Sequence, residues 1–159
     1  MAGVKEPSKL AGVPNATGPG LASGSMIERD GHVVGSALVA QPFADARYFQ
    51  PRPSAANYDP MAAAGSNLAR SNPDLHKRIA ELTLAVAERE GIAPAQVPAE
   101  LVTQSGGGLD PHLSPGAVQV QVARVAKARG IDSATVEALV AQQTEAPQFG
   151  VLGQLRVNV

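Results

Sequence analysis

The pattern of apolar and polar positions predicts three amphipathic helices between residues 72 and 140. The first two helices begin at Asn72 and Ser114, which can cap a first turn and are each followed by proline. The third begins at Asp132, which can also act as a cap. Glycines are placed to end the first two helices, at Gly91 and Gly130. Apolar residues recur every three or four positions on one face of each helix: Leu75, Ile79, Leu82 and Val86, then Val118, Val122 and Val125, then Val136, Leu139 and Val140.

Two segments that flank the helices have the shorter period of β-strands. Ser25–Arg29 and His32–Ser36 enclose Asp30-Gly31, a dipeptide typical of a two-residue hairpin turn. The tail Phe149–Val159 is rich in strand-forming residues, and alternation at Leu155, Val157 and Val159 predicts a half-buried strand. We therefore expect a loop-rich α+β fold, in which the short hairpin and the C-terminal strand join a small sheet packed with about three amphipathic helices.

Composition indicates one domain with a thin core. The 159 residues are 44% hydrophobic, but alanine makes up much of that share, so few large side chains are available for burial. Gly 16 and Pro 13 are above average usage and predict many turns and irregular segments. Residues 1–23 are expected to be a flexible N-terminal arm or a segment added to the natural chain, and residues 24–159 a single domain.

Charge and cysteine content exclude several kinds of partner. A formal net charge of -1, from 13 basic and 14 acidic residues, provides no field to attract nucleic acid or an anionic lipid surface. The chain has no cysteine, and its histidines stand at no metal-ligand spacing, so no metal site is expected. No run of about 18 apolar residues occurs, and the chain as given is therefore expected to be soluble.

The segment between Pro42 and Leu68 has no helical or strand period and holds four of the five aromatic residues. We refer to residues 43–58 as the aromatic loop. Its candidate partner-binding residues are Phe43, Tyr48, Phe49, Arg52 and Tyr58. Clustered aromatic rings supply burial and argue against disorder, but two interpretations stay open. The rings complete a thin core beneath the loop, or they form a surface on which a ligand or partner stacks.

The glycine run, which comprises Ser105, Gly106, Gly107 and Gly108, lies just before the second predicted helix. Successive glycines expose backbone N–H groups that can form an anion-binding nest. No Lys-Ser or Lys-Thr pair follows the glycines, so the run is not a phosphate-binding P-loop. A tight turn that leads into the helix cap is the alternative interpretation.

Asp110, His112 and Ser114 have the residue types of a catalytic triad at a spacing that does not suit one. Residues two apart in an extended segment are tethered too closely to line up as nucleophile, base and orienting group. We expect turn hydrogen bonding from Asp110 and helix capping from Ser114. No residue set forms a self-sufficient active site, and no catalytic residue is predicted.

Several short motifs follow one another in a distinctive order. They are Gly35-Ser36-Ala37-Leu38, Gln41-Pro42-Phe43, Arg52-Pro53-Ser54-Ala55, Gly65-Ser66-Asn67-Leu68, Leu101-Val102-Thr103, Gly108-Leu109-Asp110-Pro111-His112, Arg124-Val125-Ala126 and Val157-Asn158-Val159. Together they resemble the C-subunit family of the Kdp-type potassium-transporting P-type ATPases. The resemblance extends from about Gly24 to the end of the chain.

The resemblance implies a location as well as a fold. Members of the family begin with a single transmembrane helix, which this sequence does not contain, and continue beyond the final strand. Residues 24–159 would then be an extracytoplasmic domain at the plasma (inner) membrane. Attachment to the membrane would depend on the missing anchor helix alone.

The resemblance also implies an accessory, non-catalytic subunit of a high-affinity, ATP-driven potassium uptake complex. Its partners would be a channel-like potassium-binding A subunit, an ATP-hydrolysing B subunit and a small F peptide, and it would aid assembly and stability. It would further raise the ATP affinity of the catalytic subunit, with nucleotide contacts from Ser105, Gly106, Gly107, Gly108 and Gln121. ATP is thus a candidate ligand, and no tightly bound cofactor is expected. The alternative is a nucleotide- or anion-binding regulatory module that acts through the glycine run.

Overall fold

The computed structural model describes residues 24–62, 65–147 and 153–159. The chain divides into two compact units, Met1–Ala37 and Leu38–Val159. The boundary between the units falls within the range that the sequence predicts as one domain. The expected N-terminal arm and the first part of the β-rich tail, from Phe149, lie outside the described residues.

The described part of the first unit is a β-hairpin of strands β1 (Met26–Arg29) and β2 (His32–Ser36). The turn residues Asp30 and Gly31 both have positive φ, at 52° and 76°, which is the geometry of the tight turn that this dipeptide favours. The predicted hairpin is therefore confirmed. The pairing shifts by one residue between Ile27 and Glu28, a β-bulge that the period-two pattern does not predict.

The second unit begins its helical part with α1 (Pro73–Glu90). The Asn72 side chain accepts a hydrogen bond from the Asp74 amide, and Gly91 ends the helix in the left-handed conformation with a φ of 69°. Both ends of this helix are confirmed as predicted. Its apolar stripe is half-buried except at Val86, which lies in the core.

The second predicted helix is two shorter helices, α2 (Pro115–Gln119) and α3 (Val122–Arg129), so the prediction of one continuous helix is wrong. Its start at Ser114 and its end at Gly130 are confirmed. The last helix, α4 (Ser133–Gln142), follows after Asp132, whose side chain makes no capping hydrogen bond. The helix breaks at Gln121 because its side chain donates to the Ala117 carbonyl, while its backbone N–H donates to the Val118 carbonyl, three residues earlier.

Strands β3 (His112–Leu113), β4 (Thr144–Glu145) and β5 (Arg156–Asn158) form an antiparallel sheet with β5 in the middle. The strand predicted at the carboxyl end is confirmed, with Val157 buried between its two neighbours, whereas Leu155 precedes the strand and is exposed. The α+β class is confirmed. The hairpin forms a separate two-stranded sheet, however, so the hairpin and the C-terminal strand do not share one sheet as predicted.

The core of the second unit consists mainly of valine and alanine. Its buried members are Val86, Leu101, Val102, Leu113, Ala117, Val118, Val122, Val125, Ala126, Val136, Val140 and Val157. Such a core is thin, because small side chains bury less apolar surface than leucine or phenylalanine. Polar contacts at its edge are therefore important for holding the long loops in place.

Candidate interaction site

The aromatic loop is fastened to α3 through one buried side chain, that of Gln121. The Gln121 Oε1 atom accepts a hydrogen bond from the backbone N–H of Gln50 at 2.8 Å, and Nε2 donates to the backbone carbonyl of Gln50 at 3.2 Å. Nε2 also donates to the Ala117 carbonyl, and Oε1 also accepts from Arg124. Gln121 is 0% exposed, and both donors and both acceptor positions of its amide are occupied. A contact between Gln121 and a nucleotide would therefore require the aromatic loop to release it.

A buried ion pair reinforces this attachment. The Glu90 side chain at the end of α1 is fully buried, and its Oε2 atom accepts from Arg124 Nε at 2.8 Å. Arg124 also donates to the carbonyls of Ala46 and Tyr48, at 2.6 Å and 3.0 Å. One guanidinium thus joins α1, α3 and the aromatic loop, in the multi-donor arrangement for which arginine is suited.

The first two aromatic rings stack on each other near α3. The ring centroids of Phe43 and Tyr48 are 5.0 Å apart, and the Arg129 guanidinium lies 5.4 Å from the centroid of Tyr48. Arg129 Nε also donates to the Arg47 carbonyl. The Arg47 guanidinium, which hydrogen-bonds Asp45, holds the pKa of that carboxyl below its usual value. Both rings are half-buried, so one part of each remains accessible.

The other two rings of the aromatic loop, Phe49 and Tyr58, are also half-buried and make contacts inside the unit. Phe49 packs against the core, which favours the interpretation that this ring completes the thin core. The Tyr58 hydroxyl donates to the Arg52 carbonyl at 2.8 Å, and burial raises the pKa of Tyr58. The Ser54 hydroxyl accepts from the Tyr58 amide and helps to hold Tyr58 at a φ of 61°. These contacts fix the second half of the loop from within.

The glycine run closes a tight turn in which the Gly108 amide donates to the Ser105 carbonyl at 3.2 Å. Ser105 is buried, and Gly108 has a φ of 69°, a left-handed value that glycine adopts without strain. Gly106 and Gly107 are exposed, and nothing lies within 4 Å of a Cβ atom built on either of them. On the other side, a Cβ atom built on Gly65 would stand 2.8 Å from the Gly106 carbonyl oxygen. The turn is confirmed, and its two exposed residues, Gly106 and Gly107, have open space where a side chain would stand.

Arg52, Asp110 and His112 line an open cleft of about 500 Å³. Asp110 Oδ1 accepts from the His112 amide at 3.0 Å, which confirms the turn bonding predicted for this residue. The same oxygen lies 3.1 Å from His112 Nδ1, and Asp110 Oδ2 lies 3.8 Å from an Arg52 nitrogen. Arg52 also donates to the Gln104 carbonyl at 3.3 Å. Arg52 therefore connects the aromatic loop with the segment around the glycine run.

Ser114 acts as a helix cap and not as the nucleophile of a catalytic triad with Asp110 and His112. Its hydroxyl accepts from the Ala117 amide at 3.2 Å, as predicted for the first residue before a helix. The same hydroxyl donates to a Glu100 carboxylate oxygen, and the Ser114 amide also points to this carboxylate. Glu100 thus holds the cap in place from a segment 14 residues earlier.

Two kinds of site are not found among residues 24–62, 65–147 and 153–159. No three histidine, aspartate or glutamate side chains gather there in an arrangement that could hold a metal ion. None of the helices in these ranges combines the length and the apolar character that crossing a bilayer requires.

Sequence reasoning did not identify Gln50, Glu90 and Arg124 as members of this site. Their contacts join positions up to 78 residues apart, which no local period can reveal. A signal was present at Gln121, because this amide occupies the apolar face that Val118 and Val125 define. A polar residue on an apolar face requires buried hydrogen-bond partners, and the aromatic loop supplies them.

The fold and the site define a small α+β module in which a helical frame holds an aromatic loop. Residues 1–159 match the model of the KdpC family, described as K+-transporting ATPase, c chain, and the chain belongs to this family. The resemblance noted from the short motifs is thereby confirmed.

Related proteins agree with this assignment. A potassium-transporting ATPase KdpC subunit of Xanthomonas campestris pv. campestris (strain B100) is 64% identical over 148 residues, which cover 93% of this chain and 71% of that protein. Proteins of the same description are 51% identical in Shewanella putrefaciens, over 89% of this chain and 71% of the relative, and 49% identical in Gemmatimonas aurantiaca, over 100% of this chain and 81% of the relative.

Proposed function

We propose that this chain is an accessory subunit that promotes assembly and stability of a potassium-transporting ATPase and performs no catalysis by itself. Its partners are the channel-like potassium-binding A subunit, the ATP-hydrolysing B subunit and the small F peptide. The module lies on the extracytoplasmic side of the plasma (inner) membrane. Membership of the KdpC family supports the role as a subunit of this ATPase.

The aromatic loop is the surface that contacts the A subunit. The observation that carries this proposal is the attachment of the loop to α3 by the fully buried Gln121, while the stacked rings of Phe43 and Tyr48 stay partly accessible. A loop that is ordered before binding loses little conformational entropy on association. Aromatic and arginine side chains on such a loop are also the residue types that contribute most at protein interfaces.

Replacement of both stacked rings, Phe43→Ala with Tyr48→Ala, is expected to weaken binding to the partner subunits by at least about tenfold, because aromatic anchors dominate interface energies. Phe49 is left intact because it packs against the core. The measurement is the amount of detergent-solubilised A and B subunits retained by the immobilised chain.

The matched control is Leu84→Ala with Ile131→Ala, which removes two apolar side chains that are 62% and 41% exposed on other parts of the unit. This control should retain the partner subunits as the unchanged chain does. If the folded Phe43→Ala, Tyr48→Ala variant retains them equally well, the aromatic loop is not the contact surface.

Nucleotide binding at the glycine run is a second candidate function, which would account for an increased ATP affinity of the complex. The supporting observation is that Gly106 and Gly107 are exposed and have no neighbouring atom within 4 Å of the position of a Cβ atom, which leaves room beside the turn for a phosphate group. In this proposal Ser105 and Gly108 shape the turn, and Gln121 would contribute only after release from the aromatic loop.

Calorimetric titration with ATP tests this candidate. Gly107→Val should abolish the heat of binding, because the side chain covers the amides and has room to be accommodated without strain. Ala134→Val, at an exposed position on α4, is the control for the added side chain. No heat from the unchanged chain at about millimolar ATP would exclude nucleotide binding by the isolated module.

A further inference from the structure

A second groove, separate from the exposed part of the glycine run, lies beside the first half of α1. It has a volume of about 420 Å³ and is lined by Leu75 and Ile79 together with basic and polar side chains. A volume of this size is within the range of small-molecule sites. We name it the basic groove, after Arg70, His76 and Arg78 on its wall.

The charges of the basic groove are not balanced by the residues that line it. Among the described residues that line the groove, Arg70 and Arg78 carry positive charge, and none is an aspartate or a glutamate. Neither Arg70 nor Arg78 forms a salt bridge with any carboxylate in the described part of the chain. By contrast, the described carboxylates that pair with arginine do so elsewhere: Asp45 with Arg47, Asp110 with Arg52, Glu90 with Arg89 and Arg124, and Glu145 with Arg156. The groove thus combines positive charge with a lack of anionic partners.

Two polar atoms in residues that line the basic groove are buried and have no hydrogen-bond partner within the described part of the chain. They are the Nε atom of Arg78 and the Oε1 atom of Gln104. With the described residues, the Arg78 guanidinium forms one hydrogen bond, to the Ser66 hydroxyl, and it is long, at 3.4 Å. Both atoms are shielded from solvent, so a ligand in the groove would be bound by the terminal N–H groups of Arg78 and by Arg70 rather than by these two atoms.

We propose that the basic groove binds an oxyanion, a phosphate or carboxylate group carried by a small molecule with an apolar part. The guanidinium of Arg78 takes the oxyanion by its fork of N–H groups, and Arg70 adds a second positive charge. Leu75 and Ile79 contact the apolar part of the molecule.

This site is independent of both the docking of the aromatic loop and the nucleotide contacts at the glycine run. Gly106 and Gly107 do not line the basic groove, and neither do the rings of the aromatic loop. A small molecule bound in the basic groove would contact α1 and would be separate from both of the proposed functions.

The test uses calorimetric titration of the unchanged chain with phenyl phosphate, benzoate and inorganic phosphate. Phenyl phosphate or benzoate should bind more tightly than inorganic phosphate, because only the first two fill the apolar side of the groove. A preference for phenyl phosphate assigns the ligand as a phosphate ester, and a preference for benzoate assigns it as a carboxylate. Absence of saturable binding of both up to about 10 mM would overturn the proposal.

Three variants locate the binding. Arg78→Gln should weaken it by about tenfold or more, and Arg70→Gln, at an exposed position, should weaken it without affecting the fold. Lys77→Gln removes a charge from the same helix outside the groove lining and should change affinity by less than about twofold. Equal weakening by Lys77→Gln and Arg70→Gln would mean that only general charge attraction is measured, and it would refute a built site.

Discussion

Gln121→Leu is expected to lower the free energy of unfolding by about 3 kcal/mol, because several buried or partly buried groups lose a side-chain hydrogen-bond partner at once. The substitution keeps the approximate volume of the side chain but removes both of its hydrogen bonds to the Gln50 backbone. The amide and carbonyl of Gln50 would then be left in a partly buried position without replacement. The measurement is chemical denaturation of the purified chain at several denaturant concentrations, analysed as a two-state transition.

A neighbouring glutamine is a matched control for this prediction. Gln119→Leu makes the same chemical change two residues earlier, at an exposed position whose amide donates to Glu137 at the surface. Its expected cost is below about 1 kcal/mol, since solvent can replace a surface hydrogen bond. Equal destabilisation by Gln119→Leu and Gln121→Leu would show that the attachment of the aromatic loop does not stabilise the fold.

Arg124→Met is expected to destabilise the chain by about 3 kcal/mol, because it leaves the buried Glu90 carboxylate without the more buried of its two arginine partners. The Glu90 side chain is 0% exposed and Arg124 is 11% exposed, so little water is available to solvate the abandoned charge. Arg89 remains within 2.6 Å of Glu90 and offsets part of the loss. The second effect of Arg124→Met is faster hydrogen exchange at the backbone around Tyr48, because two carbonyls there lose their donor.

The double variant Glu90→Gln, Arg124→Met separates a buried-charge effect from a packing effect. It should be more stable than Arg124→Met alone by about 1 kcal/mol, since the uncompensated charge is then absent. Arg156→Met is the control, because the Arg156 Nε atom lies 2.8 Å from Glu145 while both side chains are more than one-third exposed. Its expected effect is below about 1 kcal/mol. If Arg124→Met and Arg156→Met lower the free energy of unfolding by comparable amounts, burial does not explain the contribution of the Glu90–Arg124 ion pair.

The candidate site could be predicted only in part. The aromatic loop was recognisable because four rings stand close together in an aromatic-poor chain, and the glycine run because three glycines are consecutive. Which rings stack on each other and which ring packs against the core was not predictable. The stacked pair of Phe43 and Tyr48 and the core contact of Phe49 depend on the position of α3. The basic groove also escaped prediction, because Arg70 and Gln104 are far apart in the sequence.

The sequence by itself determined the features of this protein that depend on a few adjacent residues. The hairpin turn at Asp30-Gly31, the cap at Asn72 and the helix end at Gly91 follow from local hydrogen bonds and from the φ angles that each residue tolerates.

Only the tertiary structure decided the features that depend on distant partners. These are the break before α3, the attachment of the aromatic loop, and the pairing of β5 with β3 and β4. The physical reason is that Gln121 gains its hydrogen bonds from Gln50, 71 positions earlier, once folding has brought the loop onto the core. A contact of this kind competes with helix continuity, and the local period shows only that a polar residue lies on the apolar face, not which distant residue is its partner.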